Sequence, residues 1–400
     1  MAAKSFCKIF SNSLIHLLFV IVLALVYYSK LNPNTVRFFL TISVCLRELL
    51  IFVLPFLLFS FVAVALSAIP REGMLFVLGL MILVMVSNFI NIIIAGSVGF
   101  FILSDAKPLP ISDTGMIFTP FFELNLPVVA ETIHALFAGI IIGLLNSFYP
   151  NKYVSFVIHF IHDYVLKFMK KIFIPLLPIF VGGFLLKLFS EGRMTGFLER
   201  NTGVCVMMCG FLMGYLAIWL LVASSFNLSR SIEILKTTFP AIVTAFSTMS
   251  SAAALPLSLA AATKNTKDKV LADAVMPLTL NFHMVGDTII VPIIAMIVML
   301  AFDHPLPRVS NFMAFGIFFV LNKFAGGGVP SGTIMVTVPV LKKYLGFDDS
   351  MIAFIIAFYG VMDPISTCGN VSANNFFVII FQKIRNRFKK RVRWINLKIE

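Results

Sequence analysis

Long apolar blocks cut by short polar ones dominate the chain. Residues 14–28, 38–69, 74–103, 128–148, 172–189 and 203–224 each read as a membrane-spanning helix. Such a span takes about 20 apolar residues at about 1.5 Å rise each. The second block is long enough to tilt, and its Arg47 and Glu48 are expected to snorkel or pair. Ser87, Asn88 and Asn91 cluster on one side of the third block. A polar, proline-rich loop at 107–127 precedes the fourth, and Lys167, Lys170 and Lys171 precede the fifth.

From Ser231 onward the pattern changes. Residues 232–262 and 311–345 are apolar, but small polar residues interrupt each near its middle: STMSSAAALP at 247–256 and AGGGVPSGT at 325–333. Each reads as two half-helices joined at membrane depth, where exposed backbone is tolerated only if it lines a protein cavity. Between them, 270–301 is a span broken at HMVGD, 283–287. Paired interrupted segments are a sequence pointer to the binding site of a secondary transporter.

The last apolar block, 351–380, carries Asp363, Ser366, Thr367, Asn370, Ser372, Asn374 and Asn375 in its middle. Asp363, Ser366, Thr367 and Asn370 share one helical face. A carboxylate near the bilayer centre costs about 2.5–3.5 kcal/mol on insertion scales and normally faces a cavity or a protein partner. Pro364 beside it removes a backbone hydrogen bond. The face reads as a binding stripe rather than a stripe that only packs against other helices.

Composition supports a multi-pass integral membrane protein: 60% of residues are hydrophobic and 12% charged, with mean hydropathy +1.00. A net charge of +13 would suit nucleic acid, but eight of the 31 basic residues lie between Lys383 and Lys398. A basic run directly after a span reads as a cytoplasmic anchor facing anionic lipid, and no nucleic-acid partner is expected. The distribution of lysine and arginine over the loops places both termini in the cytoplasm, and the start of the chain reads as a first span rather than a cleaved signal. The five cysteines show no metal spacing. Cys205 and Cys209, one helical turn apart, read as packing. The scattered histidines give no zinc site, and no phosphate-binding loop, nucleophile elbow or HExxH is present.

Several stretches resemble the dicarboxylate/amino acid:cation symporter family, the glutamate transporter homologues. TAFSTMSSAAALPLS (244–258) resembles that family's serine-rich first hairpin tip, and GGGVPSG (326–332) its second. MPLTLNFHMVGD (276–287) stands where the family has its NMDGT signature, MDPISTCGN (362–370) resembles its DxxRTxxN stripe, and LRELLIFVLPFLLFSFVAVALS (46–67) is similar to its second span. The resemblance implies an all-α integral membrane fold of eight transmembrane spans plus two re-entrant helical hairpins, an elevator-type secondary transporter assembled as a homotrimer. Residues 1–200 would be mainly scaffold, 201–385 the transport core and 386–400 a basic cytoplasmic tail.

Carried over by motif, Asp363 would hold a substrate's α-amino group, and Thr367 and Asn370 its amino and carboxylate groups. Ser250, Ser251, Gly328 and Val329 would present tip groups to the substrate. Ser366 stands where the family has an arginine for an acidic side chain, and Met249 where an alternative arginine sits. A second substrate carboxylate would then be buried without a partner. The sodium-binding pattern is altered as well, with His283, Val285 and Asn374 in place of an asparagine and two aspartates. His283, Asp287, Asn370 and Asn374 are the cation-coupling candidates, with His283 and Asp287 read as a proton-relay pair. By the same resemblance Asp287 would also fall close to where the family contacts the substrate side chain. Lys323, beside the second tip, reads either as a snorkelling lysine or as a tethered cation near a lost ion site.

The expected function is cation-coupled symport, with Na⁺ or H⁺ as the coupling ion and no other cofactor, of an amino acid or dicarboxylate, with a small neutral amino acid favoured. The alternatives are a sodium/proton:glutamate-aspartate symporter, a channel, or a non-transporting homologue. A bacterial inner membrane is the expected location.

Overall fold

Where lipid offers no hydrogen bonds, a chain must satisfy its backbone within each segment, and helices do so. The computed structural model describes residues 13–67, 74–103, 118–124, 126–127, 129–326 and 332–396, and helices are the regular elements among them. The first six are α1 (Ser13–Tyr27), α2 (Pro33–Ser67), α3 (Met74–Leu103), α4 (Thr132–Phe148), α5 (Lys152–Phe168) and α6 (Ile174–Ser190). After α7 (Arg193–Ser224), each expected interrupted segment is a pair of half-helices. These are α8 (Leu228–Thr248) with α9 (Ser251–Thr266), α10 (Lys269–Phe282) with α11 (Val285–Ala301), and α12 (Val309–Gly326) with α13 (Gly332–Leu345). The long α14 (Asp349–Asn396) closes the chain and keeps Pro364 inside it. The second tip, with Gly328 and Val329, lies outside the described residues.

α5 departs from the sequence reading, which assigned no element between the fourth and fifth spans and noted there only Lys167, Lys170 and Lys171. Asn151 caps α5 by accepting from the N–H groups of Tyr153 (2.9 Å) and Val154 (3.3 Å). A π-helical turn, Met169–Phe173, follows α5, and the chain then bends by 55° between Lys152–Phe173 and Pro178–Ser190. Its histidines, Asp163 and lysines lower the local hydropathy, while the helical period buries Ile158 and Val165 and leaves Tyr153, Phe156, Phe160 and Tyr164 exposed.

Among the described residues, five helical stretches are long and apolar enough to cross a membrane: Pro33–Val64, Phe76–Leu103, Gly203–Ser224, Lys269–Ala301 and Asp349–Arg387. The bent pair makes a sixth if counted as one span. α2 packs on α4, α5 and α6, and α1 on α6. α11 lies against α14 and α3, and α14 also touches α7, α8, α9 and α10. Arg47 of α2 pairs with Glu48 (2.8 Å) and reaches Asp349 (3.6 Å) at the start of α14. Residues 285–299 of α11 are all buried, as expected of a helix apolar on every side. Asp287 is the carboxylate that this helix carries inward.

Candidate functional site

Three helix N-termini meet one polar face of α14. Met249 and Ser251 come from the junction of α8 and α9, Met284 and Asp287 from the start of α11, and Gly332 and Thr333 from the start of α13. Opposite them stand Tyr359, Asp363, Thr367 and Asn370, at spacings of four, four and three residues. The cavity between them is about 20 Å³, room for about one water molecule. Helix N-termini carry partial positive charge and favour anions.

Each break is held by specific side chains. α8 ends at Met249, whose φ of 50° is left-handed and whose N–H bonds Ala245 O at 2.9 Å. Ser250 restarts the helix by accepting from Ala253 N–H at 3.3 Å. At the start of α11, Asn370 Oδ1 accepts from the N–H groups of Gly286 (2.8 Å) and Asp287 (3.3 Å). That contact needs Gly286, because a Cβ there would run into the Ser366 carbonyl.

At the end of α10, Asn374 Nδ2 donates to the carbonyls of His283 (3.0 Å) and Asn370 (2.8 Å), and its Oδ1 accepts from His283 Nδ1 (3.1 Å). With Nδ1 as donor, the neutral ring accepts at Nε2 from Ser87 Oγ, 3.0 Å away. Asn88 donates to Phe282 O at 2.7 Å, and Asn91 to Thr288 Oγ1 at 3.4 Å. The polar side of α3 and the stripe of α14 therefore clamp the break from two directions and satisfy its backbone.

Asp287 is 1% exposed and its carboxylate gathers four donors. Oδ2 accepts from Lys323 Nζ (3.3 Å) and Thr333 Oγ1 (2.7 Å). Oδ1 accepts from Tyr359 Oη (2.7 Å) and Ser366 Oγ. Lys323, itself 1% exposed, lies over the Phe319 ring with Nζ 4.1 Å from the centroid. Asp363 Oδ1 accepts from Thr367 Oγ1 at 3.1 Å and lies 3.3 Å from Tyr359 Oη. Broken helices converging on buried carboxylates fit a solute pathway, and comparison with known families agrees: the sodium:dicarboxylate symporter family matches residues 12–384.

The chain belongs to the sodium:dicarboxylate symporter family.

No curated protein matches it. This is a family of membrane symporters and not of enzymes. In this symporter Ser251, Asp287, Asp363, Thr367 and Asn370 line the cavity together. Ser250 is a helix cap, and Ser366 supports Asp287. His283 and Asn374 belong to the clamp around the break. The break falls between His283 and Asp287, and the two share no hydrogen bond. Lys323 does not snorkel, because its amine is enclosed against Asp287. Sequence reasoning left Tyr359 and Thr333 out of the site. Tyr359 sits four residues before Asp363, so extending the stripe by one turn would have found it.

Proposed function

We infer that this symporter carries a small neutral amino acid, with Na⁺, H⁺ or both moving in the same direction. The observation that carries this reading is the charge arrangement at the cavity. Asp363 supplies an acceptor for an ammonium group. The starts of α9, α11 and α13 supply the positive ends that suit a carboxylate. A zwitterion needs both. The described lining contains no guanidinium for a second carboxylate. A cationic side chain is equally unsupported, because Asp287 is engaged by four donors.

In this reading the chain forms eight spans and two hairpins, with residues 201–385 moving as a core against a trimeric scaffold drawn mainly from 1–200. A dicarboxylate is the second reading, favoured by the family itself. It requires the Lys323 ammonium to exchange Asp287 for the solute.

The test is uptake into proteoliposomes from a panel of labelled amino acids and dicarboxylates, under separately imposed Na⁺ and H⁺ gradients. Accumulation of alanine or serine against a gradient supports the proposal. Equilibration without accumulation indicates a channel, and accumulation of glutamate in preference to alanine reverses the substrate assignment.

A further inference from the structure

The Asp287–Lys323 pair has a composition that suits more than structural support. Around the carboxylate stand three hydroxyl oxygens, from Thr333 on α13 and from Tyr359 and Ser366 on α14. Each hydroxyl has two lone pairs and turns freely enough to accept as well as donate. A carboxylate with several neutral oxygens is the donor set that hard cations take. The group at 3.3 Å from Oδ2 is a primary ammonium, attached through its side chain to α12. On its other side the Phe319 ring offers a π face.

We propose that the buried Asp287 carboxylate, held in place by the hydroxyls of Thr333, Tyr359 and Ser366 that donate to it, marks a monovalent-cation site that the chain fills with its own Lys323 ammonium. The cation is supplied by the second hairpin and not by solution. Lys323 from one arm and Thr333 from the other both end on Asp287, so filling the site and seating that hairpin on α11 are one event. Removing the ammonium while leaving the carboxylate then creates a demand for a small cation from solvent, since an unpaired buried charge is strongly unfavourable.

The experiment measures thermal unfolding of the purified full-length protein in detergent, for the unsubstituted chain, Lys323→Ala and Lys323→Ala/Asp287→Asn. Chloride salts of Na⁺, Li⁺, K⁺ and methylammonium are titrated against choline at constant ionic strength. Lys323→Ala is expected to melt lowest in choline. One of the small cations should raise its melting temperature saturably, by about 2 °C or more beyond any response of the unsubstituted chain. The double substitution should recover stability in choline and lose that response.

A Lys323→Ala response no larger than the unsubstituted chain's overturns the proposal, as does a response that persists without Asp287. Should Lys323→Ala not be recoverable in choline, recovery of folded protein by the added Asp287→Asn supports an unpaired carboxylate as the cause. Failure of both variants alike overturns it. The readout is melting and not uptake, so it stands or falls separately from the identity of the transported solute.

Discussion

Tyr359 stands between the two buried carboxylates of the site, its hydroxyl 2.7 Å from Asp287 and 3.3 Å from Asp363. A phenol has one hydrogen to give, and the distances assign it to Asp287. Tyr359→Phe removes that donor at almost constant volume. Leaving buried acceptors short of a partner costs about 1–3 kcal/mol. Uptake should fall by roughly 10-fold or more while the protein still inserts and purifies, and an unchanged KM and maximal rate would remove Tyr359 from the site.

Asp363→Asn should abolish amino-acid uptake and leave membrane insertion intact. The carboxylate faces the cavity from the stripe of α14, and breaking a buried ion pair with a substrate ammonium costs about 3–5 kcal/mol. Substrate binding to the purified variant, measured by calorimetry, checks this. Normal affinity there would dismiss the assignment.

Glutamate and aspartate should compete poorly with alanine or serine for uptake. The described lining of the cavity holds no guanidinium: Met249 is apolar, and Ser366 gives its hydroxyl to Asp287. Tighter inhibition by glutamate than by serine would contradict this.

An imposed pH gradient should drive uptake with sodium absent, and His283 and Asp287 should contribute differently. His283 is fully buried, bonded to Asn374 and Ser87 and ringed by Trp219 and Phe377. His283→Ala should therefore lower stability by about 2–4 kcal/mol through a cavity and lost hydrogen bonds. Asp287→Asn should instead alter the ion dependence of uptake. Uptake that demands sodium, ignores the pH gradient and survives both substitutions would restore ordinary sodium symport.

Gly286→Ala should destabilise the protein by about 1–3 kcal/mol, because the new methyl meets the fixed backbone carbonyl of Ser366 and not a movable side chain. Melting in detergent provides the check, with Gly210→Ala as the control, where a Cβ meets nothing within 4 Å.

The broken helices were legible because glycine, serine and proline interrupt otherwise apolar runs, which is a local signal. The stripe of Asp363, Thr367 and Asn370 was legible for the same reason, since spacing alone puts those residues on one face. α5 was hidden because its charged and histidine residues resemble a loop by average hydropathy, while its period shows only when burial is known. The Asp287–Lys323 pair joins residues 36 apart on separate elements. No periodicity connects them, and only the packing of α12 on its neighbours brings the charges together. The pairing of His283 with Asp287 by sequence depended on one helical turn surviving the break, and the break between α10 and α11 sends the two side chains into different networks.

A cavity of about 20 Å³ also sets a kinetic rule. A solute of amino-acid size exceeds the room between the described lining residues, so its binding requires those residues to move apart. Observed on-rates should then level off as ligand concentration rises. The plateau should be the same for weak and tight ligands, because it counts openings of the protein and not collisions with it.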